Sequence, residues 1–108
     1  MNEEFNIEKT EKELEVEITP TIRKQFLMQF VQDMLDKKAQ EKGYDSIFTC
    51  IGYVNSTDET FADEGKKALV WRDKVWRKCY DILADVEQGK RNIPTEKELL
   101  AELPTLEW

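Results

Sequence analysis

Apolar residues recur at intervals of three and four along residues 20–42, the spacing that places them on one face of an α-helix. These positions are Ile22, Phe26, Leu27, Phe30, Val31, Met34 and Leu35. Thr19 followed by Pro20 matches a helix N-cap with proline at the first helical position. Gly43 follows the polar run "DKKAQEK" and is typical of a helix end. The pattern therefore predicts an amphipathic helix from Pro20 to near Gly43.

A longer helical pattern runs from Asp58 to Gln88. It carries two apolar stripes with a seven-residue repeat, Leu69, Trp76 and Leu83, and Ala68, Val75 and Ile82. Ser56 and Glu59 have the spacing of a capping box at its start, and Gly89 is suited to its end. Two long helices with such stripes predict an antiparallel helical hairpin or small bundle.

Two shorter helical patterns complete the second half of the chain. Asp45 or Ser46 can cap the first, whose apolar face is formed by Ile47, Cys50, Ile51 and Val54. Gly52 either admits close approach of another helix or weakens this one. Thr95 and Glu98 form a capping-box pattern for the second, whose apolar face is formed by Leu99, Leu100 and Leu103. Pro104 ends it, and the apolar Leu106 and Trp108 beyond it either dock back on the domain or contact another molecule.

Alternating apolar and charged residues precede the first long helix. The apolar positions are Phe5, Ile7, Leu14, Val16 and Ile18, and residues 1–17 contain seven Glu against two Lys. Period-two alternation predicts a short strand pair in residues 1–18, while an acidic tail stays open as the alternative. The predicted fold is therefore mainly α, a helical domain over residues 19–108 with a short N-terminal β element.

Length and charge restrict the classes of function. The 108 residues suit one domain, and the net charge of −7 disfavours binding to nucleic acid. No apolar run approaches the roughly 18 residues of a membrane-spanning helix, and the acidic start does not match a secretory signal. We therefore expect neither a membrane nor a nucleic acid as partner.

The residue types that most often carry catalysis or metals are scarce. Histidine is absent, and the two cysteines, Cys50 and Cys79, do not have zinc-ligand spacing. Both cysteines lie in apolar helical patterns, where a free thiol behaves as a small hydrophobic group. The carboxylates have no recognisable acid–base or metal-ligand spacing. The sequence predicts no enzyme, metal or cofactor.

The stretch "WRDKVW" brings two tryptophans together at residues 71–76. Trp76 belongs to one of the seven-residue stripes and is predicted to lie in the core. Trp71 lies off that stripe, so it meets a different element such as the C-terminal segment, or it faces solvent or a partner. Arg72 takes an inward position and needs a charge partner or an aromatic face, while Asp73 is predicted to pair with Arg77.

Two interpretations of this stretch stay open. Trp71, Arg72 and Tyr80 form a partner-binding patch, because Trp, Tyr and Arg are enriched at binding hot spots. Alternatively, these side chains support the packing of the helices, which is the more common role and the one we favour.

Residues 40–108 resemble a domain of tailed-phage and prophage tail proteins and tail-fibre assembly proteins. The resemblance is carried by "YDS", "EG", "WRDKVW", the "G" and "PT" of the last connection, and "ELP" with the final "W". The matching residues are Tyr44, Asp45, Ser46, Gly65, Trp71, Arg72, Asp73, Trp76, Gly89, Pro94, Thr95, Leu103, Pro104 and Trp108. The resemblance implies a protein-binding role in tail assembly, as a chaperone or small tail component, with a phage tail or fibre protein as partner. It implies a location in the host cytoplasm during assembly or in the virion tail, and it leaves homo-oligomerisation open.

The predicted partner-binding residues fall in three parts of the chain. They are Trp71, Arg72, Tyr80, Leu106, Trp108, Leu14, Val16 and Ile18. The last three would add a strand to the sheet edge of a partner. The alternative function is an acidic phage inhibitor of a host enzyme, of anti-defence or DNA-mimic type, which rests on the small size and the negative charge.

Overall fold

A computed structural model describes residues 19–108, and it is mainly helical over that range. Its helices are α1 (Pro20–Gln40), α2 (Ile47–Ile51), α3 (Glu59–Glu87) and α4 (Glu96–Glu102). The predicted strand pair at residues 1–18 lies outside the described residues. The helical domain thus has the element order that the apolar patterns predict.

Helix starts follow the predicted capping residues in three of the four helices. The Thr19 hydroxyl accepts a hydrogen bond from the Ile22 amide at 3.2 Å and begins α1. Ser46 caps α2, where its hydroxyl accepts from the Thr49 amide at 3.1 Å. Thr95 begins α4 with both reciprocal bonds of a capping box. These three predictions are confirmed because capping depends on residues only two or three positions apart.

The predicted capping box of Ser56 and Glu59 at the start of α3 is wrong. Asp58 is the N-cap, and its carboxylate accepts from the Phe61 amide at 3.0 Å. The Ser56 hydroxyl instead accepts from the Asp58 amide at 3.0 Å. Asp58 is the residue immediately before the helix, so its side chain reaches the exposed amides of the first turn.

The predicted glycines lie in the turns that follow the two long helices. Gly43 and Gly89 adopt φ values of 89° and 76°, a left-handed conformation that terminates a helix. In each case the next amide, of Tyr44 or Lys90, donates to the carbonyl five residues earlier, at 3.3 and 2.8 Å. These bonds satisfy carbonyl groups that the helix end would leave without donors.

α1 and α3 run antiparallel. Lys42, just after α1, lies 3.8 Å from Glu64 near the start of α3. At the other end, Leu27 of α1 and Val86 of α3 line one small apolar cavity of about 50 Å³. The short α2 lies at the turn of this hairpin, and α4 with the C-terminal segment packs beside it.

Only one of the two apolar stripes of α3 is buried in the core. Ala68, Val75 and Ile82 are buried, whereas the stripe of Leu69, Trp76 and Leu83 is partly buried at the edge of the core. The prediction that Trp76 lies in the core is therefore wrong, since it packs against the core from its margin. Because the two stripes are about 100° apart, the choice between them depends on where the other elements pack.

Helix α2 approaches α3 at Gly65. A Cβ atom at this position would lie 2.9 Å from both the Cys50 carbonyl oxygen and the Val54 nitrogen. Gly52, the glycine for which the sequence suggests close approach, is exposed. The absent side chain of Gly65 therefore sets how closely these two helices pack.

Candidate protein-binding surface

Trp71 holds the C-terminal segment against the helices. Its side chain is only 6% exposed, and its indole N–H donates to the Pro104 carbonyl at 2.8 Å. Leu103 and Leu106 are also buried beside it. Of the two alternatives for this segment, the structure shows docking on the domain. Trp71 and Leu106 are therefore used in internal packing.

Trp108 lies between the end of α1 and the first half of α3. Its indole N–H donates to the Glu41 carboxylate at 3.3 Å, and the Lys42 ammonium lies 5.8 Å from its ring centroid. The Lys67 ammonium donates to the backbone oxygen of Trp108. These contacts join residues that are at least 41 positions apart in sequence, so Trp108 connects the C-terminus to the end of α1 and to α3.

The charged residues around "WRDKVW" pair differently from the prediction. Arg72 binds the carboxylate of the adjacent Asp73 at 3.0 Å, and Arg77 binds Asp81 at 3.2 Å. The predicted pair of Asp73 with Arg77 does not form. Arg72 is partly exposed, so a neighbouring surface carboxylate is sufficient to pair it. Such exposed pairs contribute from nothing to about 1 kcal/mol each.

The structure does not bring Trp71 and Tyr80 together. Nine residues along a helix correspond to about half a turn in orientation, so their side chains leave α3 on opposite sides. Tyr80 is 48% exposed, and its ring lies 6.4 Å from that of Trp76 and 6.0 Å from the Arg77 guanidinium. The proposed binding residues Leu14, Val16 and Ile18 lie outside the described residues.

Four aromatic side chains, three of them exposed and Tyr44 partly buried, lie just before α2, on it, in the turn after it and at the start of α3. We call Tyr44, Phe48, Tyr53 and Phe61 the aromatic surface. The Tyr53 ring centroid lies 5.5 Å from that of Tyr44 and 5.4 Å from that of Phe61. Phe48 is 78% exposed, because the inward face of α2 is taken by Ile47 and Cys50. The rings of Tyr44, Tyr53 and Phe61 interact at these separations while part of each remains in solvent, whereas Phe48 lies on α2 with no ring partner within residues 19–108.

The segment that carries the aromatic surface is acidic. Residues 43–65 contain five acidic residues and neither Lys nor Arg, the five being Asp45, Asp58, Glu59, Asp63 and Glu64. Glu64 accepts the Tyr44 hydroxyl at 2.7 Å and lies 3.8 Å from Lys42. Burial and this hydrogen bond to Glu64 raise the pKa of Tyr44, so its phenol stays protonated. This part of the surface is therefore both aromatic and acidic.

Both thiols are free; Cys50 is buried, and Cys79 is partly buried against the core. Burial raises the pKa of Cys79 to about 11, and it also raises the pKa of Cys50, with a further contribution from the charge of Glu64. Both thiols are protonated at neutral pH, the unreactive form.

Within residues 19–108, no group of three or more His, Cys, Asp or Glu side chains is arranged to hold a metal ion. Over the same residues, none of the helices combines the length and apolar character needed to cross a membrane.

The sequence contains a signal for the aromatic surface that helical periodicity does not reveal. Phe48 falls off the apolar face of its own helix, and Tyr53 and Phe61 flank a polar turn. Aromatic residues outside the predicted stripes, in a stretch without cations, are the pattern that identifies this surface.

Comparison with protein-family models, curated proteins and solved structures gave no match to this chain.

Proposed function

We propose that this protein binds other proteins during the assembly of phage or prophage tails, as a chaperone or as a small tail component. The resemblance of residues 40–108 to tail and tail-fibre assembly proteins supports the biological setting. The exposure of Phe48 supports the mode of action, because a phenylalanine left in water gains about 1.5 to 3 kcal/mol when a partner buries it.

The aromatic surface is the binding site in this proposal. Trp71 and Leu106 are excluded from direct contact as long as the C-terminal segment stays docked, since both are buried. Arg72 and Tyr80 form a second, smaller candidate contact on another side of α3, with Tyr80 the more exposed of the two. Leu14, Val16 and Ile18 are proposed to add a strand to a partner's sheet.

Co-purification with the tail and tail-fibre proteins encoded in the same genome tests the proposal. We expect a tagged chain to retain one of these proteins, and the substitution Phe48→Ser to reduce retention by about tenfold, as for loss of a hot-spot residue. Val70→Ser is the matched control, because Val70 is also exposed, at 53%, and leaves α3 on the side opposite Phe61. It should leave retention unchanged.

Three further variants, Tyr53→Ser, Tyr80→Ser and deletion of residues 1–18, show which surface contacts the partner. Tyr80→Ser tests the second candidate surface, and deletion of residues 1–18 tests strand addition. Retention that is insensitive to Phe48→Ser and Tyr53→Ser would reject the aromatic surface, and absence of any tail or fibre protein would reject the function. Specific retention of a host enzyme instead would support the inhibitor alternative.

The choice between chaperone and tail component depends on the finished particle. Mass spectrometry of purified particles should detect a component at fixed stoichiometry and should not detect a chaperone. In the first case the protein is located in the virion tail, and in the second it acts in the host cytoplasm during assembly.

A further inference from the structure

We infer that the aromatic surface binds a basic segment of its protein partner, with Lys or Arg side chains seated on the exposed rings and paired with the carboxylates of residues 43–65. This inference rests on the proposed function, because it specifies the chemistry of the partner at the same surface.

The exposed rings favour a cationic partner. The face of an aromatic ring attracts Lys and Arg, and the attraction increases when a partner displaces water. The fold already makes this contact elsewhere, with Lys42 near the Trp108 ring and the Arg77 guanidinium near Tyr80. Phe48, Tyr53 and Phe61 remain partly open to such a contact from outside.

The carboxylates give the surface a negative charge that the domain itself only partly balances. Asp63 pairs with Lys67 at 3.1 Å, and Glu64 lies near Lys42. Asp45 and Glu59 form no ion pair with any residue of the described range 19–108, and Asp58 is engaged in capping α3. The cations Lys42, Lys66 and Lys67 lie only at the borders of this stretch. A basic segment therefore complements the charge, whereas an acidic one is repelled.

The same charge disfavours a second copy of this chain as the occupant. Two copies meeting through the aromatic surface would place like charges opposite each other, which opposes association. Self-association through this surface is therefore an outcome that would contradict the inference.

A peptide titration tests the inference without requiring the natural partner. The probe is a fluorescent 12-residue peptide of alternating Arg and Gly with one central Leu, and the comparison peptide has Glu in place of every Arg. We expect the basic peptide to bind with an affinity that falls as salt rises from 50 to 300 mM, and the acidic peptide not to bind.

Neutral variants locate the site. The double substitution Asp45→Asn with Glu59→Gln should weaken binding of the basic peptide about tenfold, and Phe48→Ser should weaken it similarly. The matched control is Glu87→Gln with Glu96→Gln, which removes the same charge from exposed residues at the end of α3 and the start of α4 that, like Asp45 and Glu59, form no ion pair within residues 19–108. Asp58 is left intact because its loss would disturb the start of the helix.

The outcomes separate this inference from the proposed function. Equal binding of both peptides, or an equal effect of the two double substitutions, overturns the basic-partner inference. So does a dimer in gel filtration that Phe48→Ser converts to a monomer. If a tail protein is still retained through Phe48 but is insensitive to Asp45→Asn with Glu59→Gln, the function stands and this inference falls. If the basic peptide binds at the surface but no tail protein is retained, the function falls and the inference stands.

Discussion

The two tryptophans of "WRDKVW" differ in what surrounds them rather than in their local sequence. Trp71 follows Ala68 by three residues and so shares its buried side of α3, where the Pro104 carbonyl accepts the indole N–H. Trp76 lies at the edge of the core beside Tyr80. The first therefore fixes the C-terminal segment, and the second covers the flank of the helix.

Trp71→Phe should loosen the C-terminal segment. Phenylalanine keeps most of the apolar contact but cannot donate to Pro104, so we expect a loss of about 1 kcal/mol in the free energy of unfolding. Hydrogen exchange should become faster at residues 103–108.

Trp76→Phe is the matched control, because the same change is made five residues away at a ring whose N–H has no acceptor among the described residues. It should leave exchange at residues 103–108 unaltered. Equal acceleration in the two variants would show that the hydrogen bond does not hold the segment.

At the scale of elements, the contact between α2 and α3 depends on a single missing side chain. The Cys50 carbonyl and the Val54 amide lie where a Cβ of residue 65 would be placed. Both neighbours are backbone atoms, so they cannot move aside as the end of a flexible side chain can. This contact also positions the aromatic surface, because Tyr53 follows α2 and Phe61 lies at the start of α3, and their rings meet across it.

Gly65→Ala should destabilise the protein although alanine favours helices. The gain in helix propensity is up to about 1 kcal/mol, whereas overpacking a tight contact costs about 1 to 3 kcal/mol. We expect a net loss of about 1 kcal/mol and a lower midpoint in thermal unfolding.

Gly52→Ala provides the comparison, because Gly52 is exposed and has ordinary right-handed helical dihedrals. A Cβ at Gly52 would lie 3.2 Å from the Thr49 carbonyl oxygen of its own turn, so the change should cost less than Gly65→Ala rather than stabilise the protein. A Gly65→Ala variant that is as stable as Gly52→Ala would contradict close packing at residue 65.

At the scale of the whole molecule, one ion pair joins the connection after α3 to the end of α4. The Arg91 guanidinium binds both carboxylate oxygens of Glu102, at 3.0 and 2.6 Å. These hydrogen bonds lower the pKa of Glu102 below its ordinary value of 4.5. Since each side chain is about a third exposed, water and salt weaken the pair.

Removal of this pair should change stability in a pH-dependent way. A carboxylate whose pKa is lowered on folding stabilises the protein above its unfolded pKa and loses that contribution as pH falls through the folded value. Glu102→Gln should therefore lower the urea midpoint at pH 7, and its difference from the natural protein should shrink as pH falls below 4.5.

Glu87→Gln is the control for this measurement, because Glu87 is an exposed carboxylate with no ion-pair partner within residues 19–108. It should shift the midpoint little at any pH. A difference for Glu102→Gln that stays constant from pH 7 to pH 3 would exclude the ion pair as its cause.

The sequence by itself determined where three of the four described helices begin and which glycines follow the two long helices. Thr19, Ser46, Thr95, Gly43 and Gly89 act through hydrogen bonds to amides and carbonyls within five positions, so their effect can be inferred from spacing. The mainly helical class follows from the same local periodicity.

Only the tertiary structure decided which surfaces are inside. The adjacent stripes at Ala68 and Leu69 are both apolar in sequence, and the packing of the other elements buried the first of them. That choice placed Trp71 inside, left Trp76 at the margin and let Arg72 reach a surface carboxylate. Phe48 stays in solvent because Ile47 and Cys50 take the inward face of α2. Burial depends on residues distant in sequence, and no local spacing encodes which of them come into contact.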